Sequence, residues 1–194
     1  MKSIFVASDI HGSALWCEKM LAAFDASGAD RLLLLGDVLY HGPRNDLPEG
    51  YAPKQVIALL SPYKDKILCV RGNCEAEVDQ MVLTFPVLSD SCILWLDGRM
   101  IFATHGHIFN ENSLPPLRDG DILLHGHTHV PACRTHTEEG APRYPYLNPG
   151  SVSIPKEGST HQYILWDDGT VIFKALDGTV LRTVTPAELD SMIG

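Results

Sequence analysis

Three of the nine histidines, His125, His127 and His129, stand at alternate positions in the stretch LLHGHTHVP, where an apolar run ends and Gly126 lets the backbone turn. The same device recurs along the chain. Asp9 and His11 lie in SDIHG, Asp37 in LGDV, Asn73 in RGNCE, and His105 and His107 in THGH, each close behind apolar residues and beside a glycine. Carboxylate, amide and imidazole donors without thiolate suit manganese, iron or zinc in an open site. A single D-x-H or H-x-H carries little weight, because a lone histidine at a strand end is usually a hydrogen-bonded packing residue. Five such turns in one chain point to metal-assisted chemistry.

The elements that must position these turns can be read from the apolar pattern. KSIFVASD, RLLLLGDV and KILCVRGN are continuous apolar runs, the mark of strands buried on both faces of a parallel sheet. Between them lie a helix over about Ser13 to Ala26, with Ser13 as N-cap and Leu15, Met20, Leu21 and Phe24 facing inward, and a second helix through Val56 and Leu60. The second half changes style. CILWLDGRMIFATHGH turns at Asp97-Gly98, and QYILWDDGTVIFKALDGTVLRTV turns at Asp168-Gly169 and Asp177-Gly178, so antiparallel hairpins dominate there. The pattern predicts one α/β domain over 1–194, two sheets packed together with helices outside. In open α/β sheets ligands bind beyond the carboxyl ends of the strands, so the five turns should converge.

Composition narrows the partners. A net charge of −9 offers no basic stripe for an extended nucleic acid, although a small anion is compatible with local cations or metal. MKSIFVAS is too short an apolar stretch for a membrane span or a secretory leader, so no membrane partner and a cytoplasmic location are expected. Five cysteines, Cys17, Cys69, Cys74, Cys92 and Cys133, form no C-x-x-C pair and read as reduced thiols.

Taken in order, D-x-H, G-D, G-N-C-E, T-H-G-H and G-H-T-H, followed by NPGSVSIP, resemble the calcineurin-like metallophosphoesterase superfamily, and within it the small bacterial phosphodiesterases. The resemblance spans almost the whole chain. It implies a four-layer α/β/β/α sandwich of two mixed sheets and a binuclear centre, with manganese the expected ion and zinc, iron or nickel as alternatives. Asp9, His11 and His129 would hold one ion, Asn73, His105 and His127 the other, and Asp37 both. A hydroxide bridging the ions beside Asp37 and Asn73 would attack a small phosphodiester.

Many relatives carry a histidine where this chain has Cys74, and that histidine is thought to protonate the leaving group. A thiol is the weaker acid, so diesters with good leaving groups are expected to be favoured. Glu75, without that histidine to orient, is expected to start the next helix. His41, Arg44, Asn45, Arg71 and His107 are candidate substrate contacts, each with a plain structural alternative. His125 reads as a packing residue and not a ligand; Asn148 and Ser151 either orient ligands or merely shape a turn. The same motifs also admit a phosphomonoesterase or nucleotide hydrolase, and a protein-binding scaffold with little catalysis. Exposed hairpins leave room for a homo-oligomer, a dimer or tetramer.

Overall fold

A computed structural model describes residues 3–137, 140 and 142–192. In chain order the elements are β1 (Ser3–Ala7), α1 (Ala14–Ser27), β2 (Arg31–Leu34), α2 (Pro53–Leu60), β3 (Ile67–Cys69), α3 (Glu77–Val82), β4 (Ser91–Leu96), β5 (Arg99–Thr104), β6 (Ile122–Leu124), β7 (Ala132–His136), β8 (Tyr144–Asn148), β9 (Gln162–Asp167), β10 (Thr170–Ala175), β11 (Val180–Val184) and α4 (Pro186–Ser191). They form two mixed sheets. The first has the order β11-β10-β9-β1-β2-β3, the second β4-β5-β6-β8-β7. β1, β2 and β3 are mutually parallel, as are β5, β6 and β8, while the hairpin strands pair antiparallel at the margins.

The continuous apolar strands are explained by what lies on their two faces. Ile4, Val6, Leu33 and Leu35 point between the sheets onto Ile101, Ile122, Leu124 and Leu147. Their alternates Phe5, Ala7, Leu32 and Leu34 point outward onto Cys17, Met20 and Phe24 of α1 and Val56 and Leu60 of α2. Each strand is thus buried twice, and truncating one such leucine to alanine costs about 2–5 kcal/mol. The outer face of the second sheet carries a smaller core, Phe102, Leu123, Tyr144 and Tyr146, packed against Phe109, Leu114 and Leu117 of the connection between β5 and β6. Two mixed sheets flanked by helices is the architecture the sequence predicted.

Ser13 is the N-cap of α1, its hydroxyl accepting from the Trp16 amide at 3.2 Å. Leu15, predicted to face inward, is only partly buried, because the covered stripe runs through Ala14, Cys17, Met20, Leu21 and Phe24. The turns at Asp97-Gly98 and Asp168-Gly169 both have two successive positive φ angles, the backbone that a tight two-residue hairpin requires. The third hairpin differs. Only Gly178 is left-handed there, and a register shift at Phe173 and Lys174 bulges the pairing of β10 with β11. Among the described residues no helix is long and apolar enough to cross a membrane.

Candidate metal centre

Six parallel strands from two sheets end on one side of the sandwich, and the five motif turns leave from those ends. Asp9 and His11 follow β1, Asp37 follows β2, Asn73 follows β3, His105 follows β5, and His127 and His129 follow β6. Five of these seven residues, Asp9, His11, Asp37, His127 and His129, have positive φ, between 49° and 65°. Asp and His are among the side chains that tolerate this left-handed region best, and using it turns the chain abruptly enough to aim successive side chains at one point. Glycine is required where backbones close in. A Cβ on Gly126 would collide with Ser8 and Asp9, and one on Gly72 with Asp37.

Backbone carbonyls fix the imidazoles. Nδ1 of His11 donates to the Tyr40 carbonyl at 2.8 Å, Nδ1 of His105 to Leu35 at 2.6 Å, and Nδ1 of His129 to Ile154 at 2.7 Å. A carbonyl only accepts, so in each neutral ring the proton sits on Nδ1 and the Nε2 lone pair faces inward. Those Nε2 atoms gather round two buried carboxylates. His11 and His129 stand 3.5 and 3.3 Å from Asp9 Oδ1, and His11 and His105 stand 3.6 and 3.5 Å from Asp37 Oδ2. Asp37 is therefore the carboxylate that both histidine groups share.

The crowding at the centre fits cations. His11 Nε2 and His129 Nε2 face each other at 3.2 Å, and His127 Nδ1 faces His105 Nε2 at 3.1 Å, with Asn73 Oδ1 also 3.1 Å from His105 Nε2. Asp9 Oδ1 is buried with no hydrogen-bond partner, while Asp9 Oδ2 accepts from the His127 amide. Donor atoms of Asp9, His11 and His129 lie within 4.8 Å of one another, as do those of Asp9, Asp37 and His105, so each set can hold an ion. Burial alone would push the Asp9 carboxyl up, but the imidazoles of His11 and His129 beside it, with His105 behind them, outweigh it and hold it well below its ordinary 3.8. Burial, reinforced by His105, holds His127 down to about 4, so its ring is neutral and able to ligate.

The flanking residues divide. Arg44 and Asn45 line a cleft of about 350 Å³ over Asp37, Asn73, His127 and His129, together with Thr128 and Lys156. His41 does not line it, its ring packing edge-on against Tyr40 and Tyr51. Nor does Arg71, whose amide donates to the Ser89 carbonyl, or His107, whose ring centroid is 5.3 Å from that of His105. His125 is buried and stacked on Tyr146 at 4.5 Å. Cys74 is half-buried; its amide donates to Asp37 Oδ1 at 2.9 Å, and burial, then the Asp37 charge, raises the thiol far above its ordinary 9.0.

Glu75 is a correction. It does not start a helix, since α3 begins two residues later, and its side chain is buried. One oxygen accepts from the amides of Asp37 at 2.8 Å and Gly72 at 2.5 Å, the other from Val38 at 2.7 Å. Burial and then the Asp37 carboxylate push it up to about 7, against those three donors, which favour the anion. The carboxylate clasps the Asp37 turn to the Asn73 turn. Behind the histidines, Asn148 Nδ2 lies within 3.0 Å of the Gly126 carbonyl and of Thr128 Oγ1, and Ser151 donates to the Asp9 carbonyl at 2.9 Å. Sequence reasoning missed Thr128 and Lys156. The first lies inside G-H-T-H and was open to discovery; the second, in SIPKEG, carries no local signal.

Carboxyl-edge turns, a shared aspartate and carbonyl-pinned imidazoles make a cluster that could hold divalent metal. The chain belongs to the calcineurin-like phosphoesterase superfamily, whose domain model matches residues 1–169. It is 45% identical to phosphodiesterase YfcE of Escherichia coli over 177 residues, 91% of this chain and 94% of that protein. The solved structure of YfcE, described as a phosphoesterase, superposes with a TM-score of 0.88 at 44% identity, covering 94% of this chain and 98% of that one. The Vps29 protein of Entamoeba histolytica, solved with zinc, shares the fold at a TM-score of 0.52 and 18% identity, covering 93% and 96% of the two chains.

Proposed function

We propose that this chain is a metal-dependent phosphodiesterase of a small substrate, with Asp9, His11 and His129 holding one divalent ion, Asn73, His105 and His127 a second, and Asp37 both. The observation that carries the reading is the placement of Asp37 Oδ2, 3.6 Å from His11 Nε2 and 3.5 Å from His105 Nε2, between the two ligand groups. When bound, the ions supply Lewis-acid stabilisation of charge on the phosphoryl oxygens and make water a nucleophile at neutral pH. Manganese is the proposed pair, the oxygen and nitrogen donor set also accepting zinc, iron or nickel.

The chain's own groups do the rest. Arg44, whose planar fork matches a phosphoryl group, binds the non-bridging oxygens, and Asn45 lies beside it at the cleft wall. The Tyr40, Leu35 and Ile154 carbonyls keep three imidazoles in one tautomer and orientation. Cys74 remains a neutral thiol, so no strong acid at that position assists departure of the leaving group. The substrates that suit the site are diesters whose leaving groups depart unprotonated. Five free cysteines are in keeping with a cytoplasmic setting.

The test is hydrolysis of bis-aryl and mono-aryl phosphates by metal-stripped protein, with manganese, zinc, nickel or magnesium added back. Diester cleavage restored by manganese, with the monoester left intact, is the expected result. Absence of activity with every metal, despite two bound ions, would move the assignment to a scaffold.

A further inference from the structure

The cleft over the candidate centre has an unusual wall. Small-molecule sites are ordinarily lined by apolar side chains with a few polar groups among them. Here every lining side chain is polar or charged, so the cleft offers an aryl or alkyl arm no apolar slot. Two of the lining residues are cations that come from separate loops, Arg44 from the turn region after β2 and Lys156 from the segment after β8. Neither side chain has an ion-pair or hydrogen-bond partner among the described residues. In a chain of 24 acidic and 15 basic residues, two unpaired cations line a cleft that has one carboxylate, Asp37, among its lining residues.

Lys156 is held there by its backbone. Its amide donates to the carbonyl of His129 at 3.2 Å, and its own carbonyl accepts from the amide and hydroxyl of Ser159 at 3.0 and 2.6 Å. Glu157 and Gly158, both at positive φ, then turn the chain back. The lysine Cα is thus tied directly to a proposed metal-ligand residue while its ammonium stays exposed at the cleft. A phosphodiester carries a single negative charge, which Arg44 alone can match. Lys156 is then free, at the cleft wall, for a second anionic group on the substrate.

We infer that Lys156 is a specificity-determining residue that selects phosphodiesters bearing a second anionic group on one arm. The inference rests on the phosphodiesterase reading and narrows its substrate class. Arg44, a fork, suits the phosphoryl oxygens; Lys156, a point charge on a flexible stem, suits an anion at the end of a variable arm.

The experiment compares two 4-nitrophenyl phosphodiesters that differ only in the second arm, carboxyphenyl in one and carbamoylphenyl in the other, with the manganese-loaded protein. The wild type should prefer the charged arm. The ratio of kcat/KM, charged over neutral, should fall about two- to fivefold in Lys156→Ala, mainly through KM, as expected for an exposed ion pair. It should fall further in Lys156→Glu, survive in Lys156→Arg, and shrink with added salt. A wild-type ratio near one, or the same ratio in Lys156→Ala, overturns the inference and leaves the phosphodiesterase reading standing. Cleavage of neither diester overturns that reading, and the inference falls with it.

Discussion

Removing the Glu75 carboxylate tests whether the metal-site turns are held by the chain itself. The side chain is 4% exposed and accepts three backbone N–H groups, from Asp37, Val38 and Gly72. Glu75→Ala strands all three donors away from water, and at about 1 kcal/mol for each unsatisfied buried donor the loss is about 3 kcal/mol. Glu75→Gln is graded. Its amide oxygen can take the place of the oxygen that serves Asp37 and Gly72, but its NH₂ then faces the Val38 N–H, so about 1–2 kcal/mol is lost. Urea unfolding followed by tryptophan fluorescence, at pH 8 where a carboxyl held at about 7 is ionised, reads both. With a slope of about 2–3 kcal/mol per molar, the midpoint of Glu75→Ala should fall by about 1 M, and Glu75→Gln should lie between it and wild type. The exposed neighbour Glu77→Gln should stay within about 0.5 kcal/mol of wild type. Glu75→Ala as stable as Glu77→Gln would refute the clasp.

Cys74→His should raise turnover on diesters with poor leaving groups, by up to about 10²-fold if the missing acid limits them; an unchanged rate at intact metal content removes that explanation. Asp37→Asn should abolish hydrolysis by weakening the shared ligand, and full activity in that variant would show the metal assignment to be wrong. His161, stacked on Trp16 at 3.4 Å, has its pKa lowered from 6.5 by burial and then by Lys19. Protonation therefore favours the unfolded chain, and this group's contribution to stability is lost as pH falls below 6.5; an NMR titration placing His161 at or above 6.5 would contradict it.

The apolar parallel strands of the first half, the hairpin turns and the convergence of the motif turns at the strand ends were legible because they rest on local signals, whereas the order of strands within each sheet was not read from the sequence. Apolar runs bounded by glycine give parallel strands, and Asp97-Gly98 and Asp168-Gly169 give hairpins whose φ angles the dipeptides dictate. The candidate ligand types at five strand ends could be named before their distances were known. Glu75 was misread because its neighbours in sequence suggest a helix start, whereas its partners are 37 and 38 residues away on another strand's turn. Lys156 was invisible for the same reason: its relation to the cleft depends on a hydrogen bond to His129 and on a turn beyond β8. His41 sits two residues from Leu39, in a loop that looked poised over the centre, yet aromatic packing with Tyr40 and Tyr51 decides where its ring goes.

The left-handed backbone at Asp9, His11, Asp37, His127 and His129 sets durability against activity. Each such residue costs on the order of 1 kcal/mol, and the buried Asp9 and Asp37 carboxylates, with oxygens within 4.8 Å, repel one another when no cation lies between them. Asparagine is at home in that backbone and carries no charge. Without ions, Asp37→Asn should therefore melt no lower than wild type while hydrolysing nothing. A population of variants screened for heat resistance alone would collect such a change and drift toward inactive proteins, so thermal selection on this fold has to be coupled to a turnover assay.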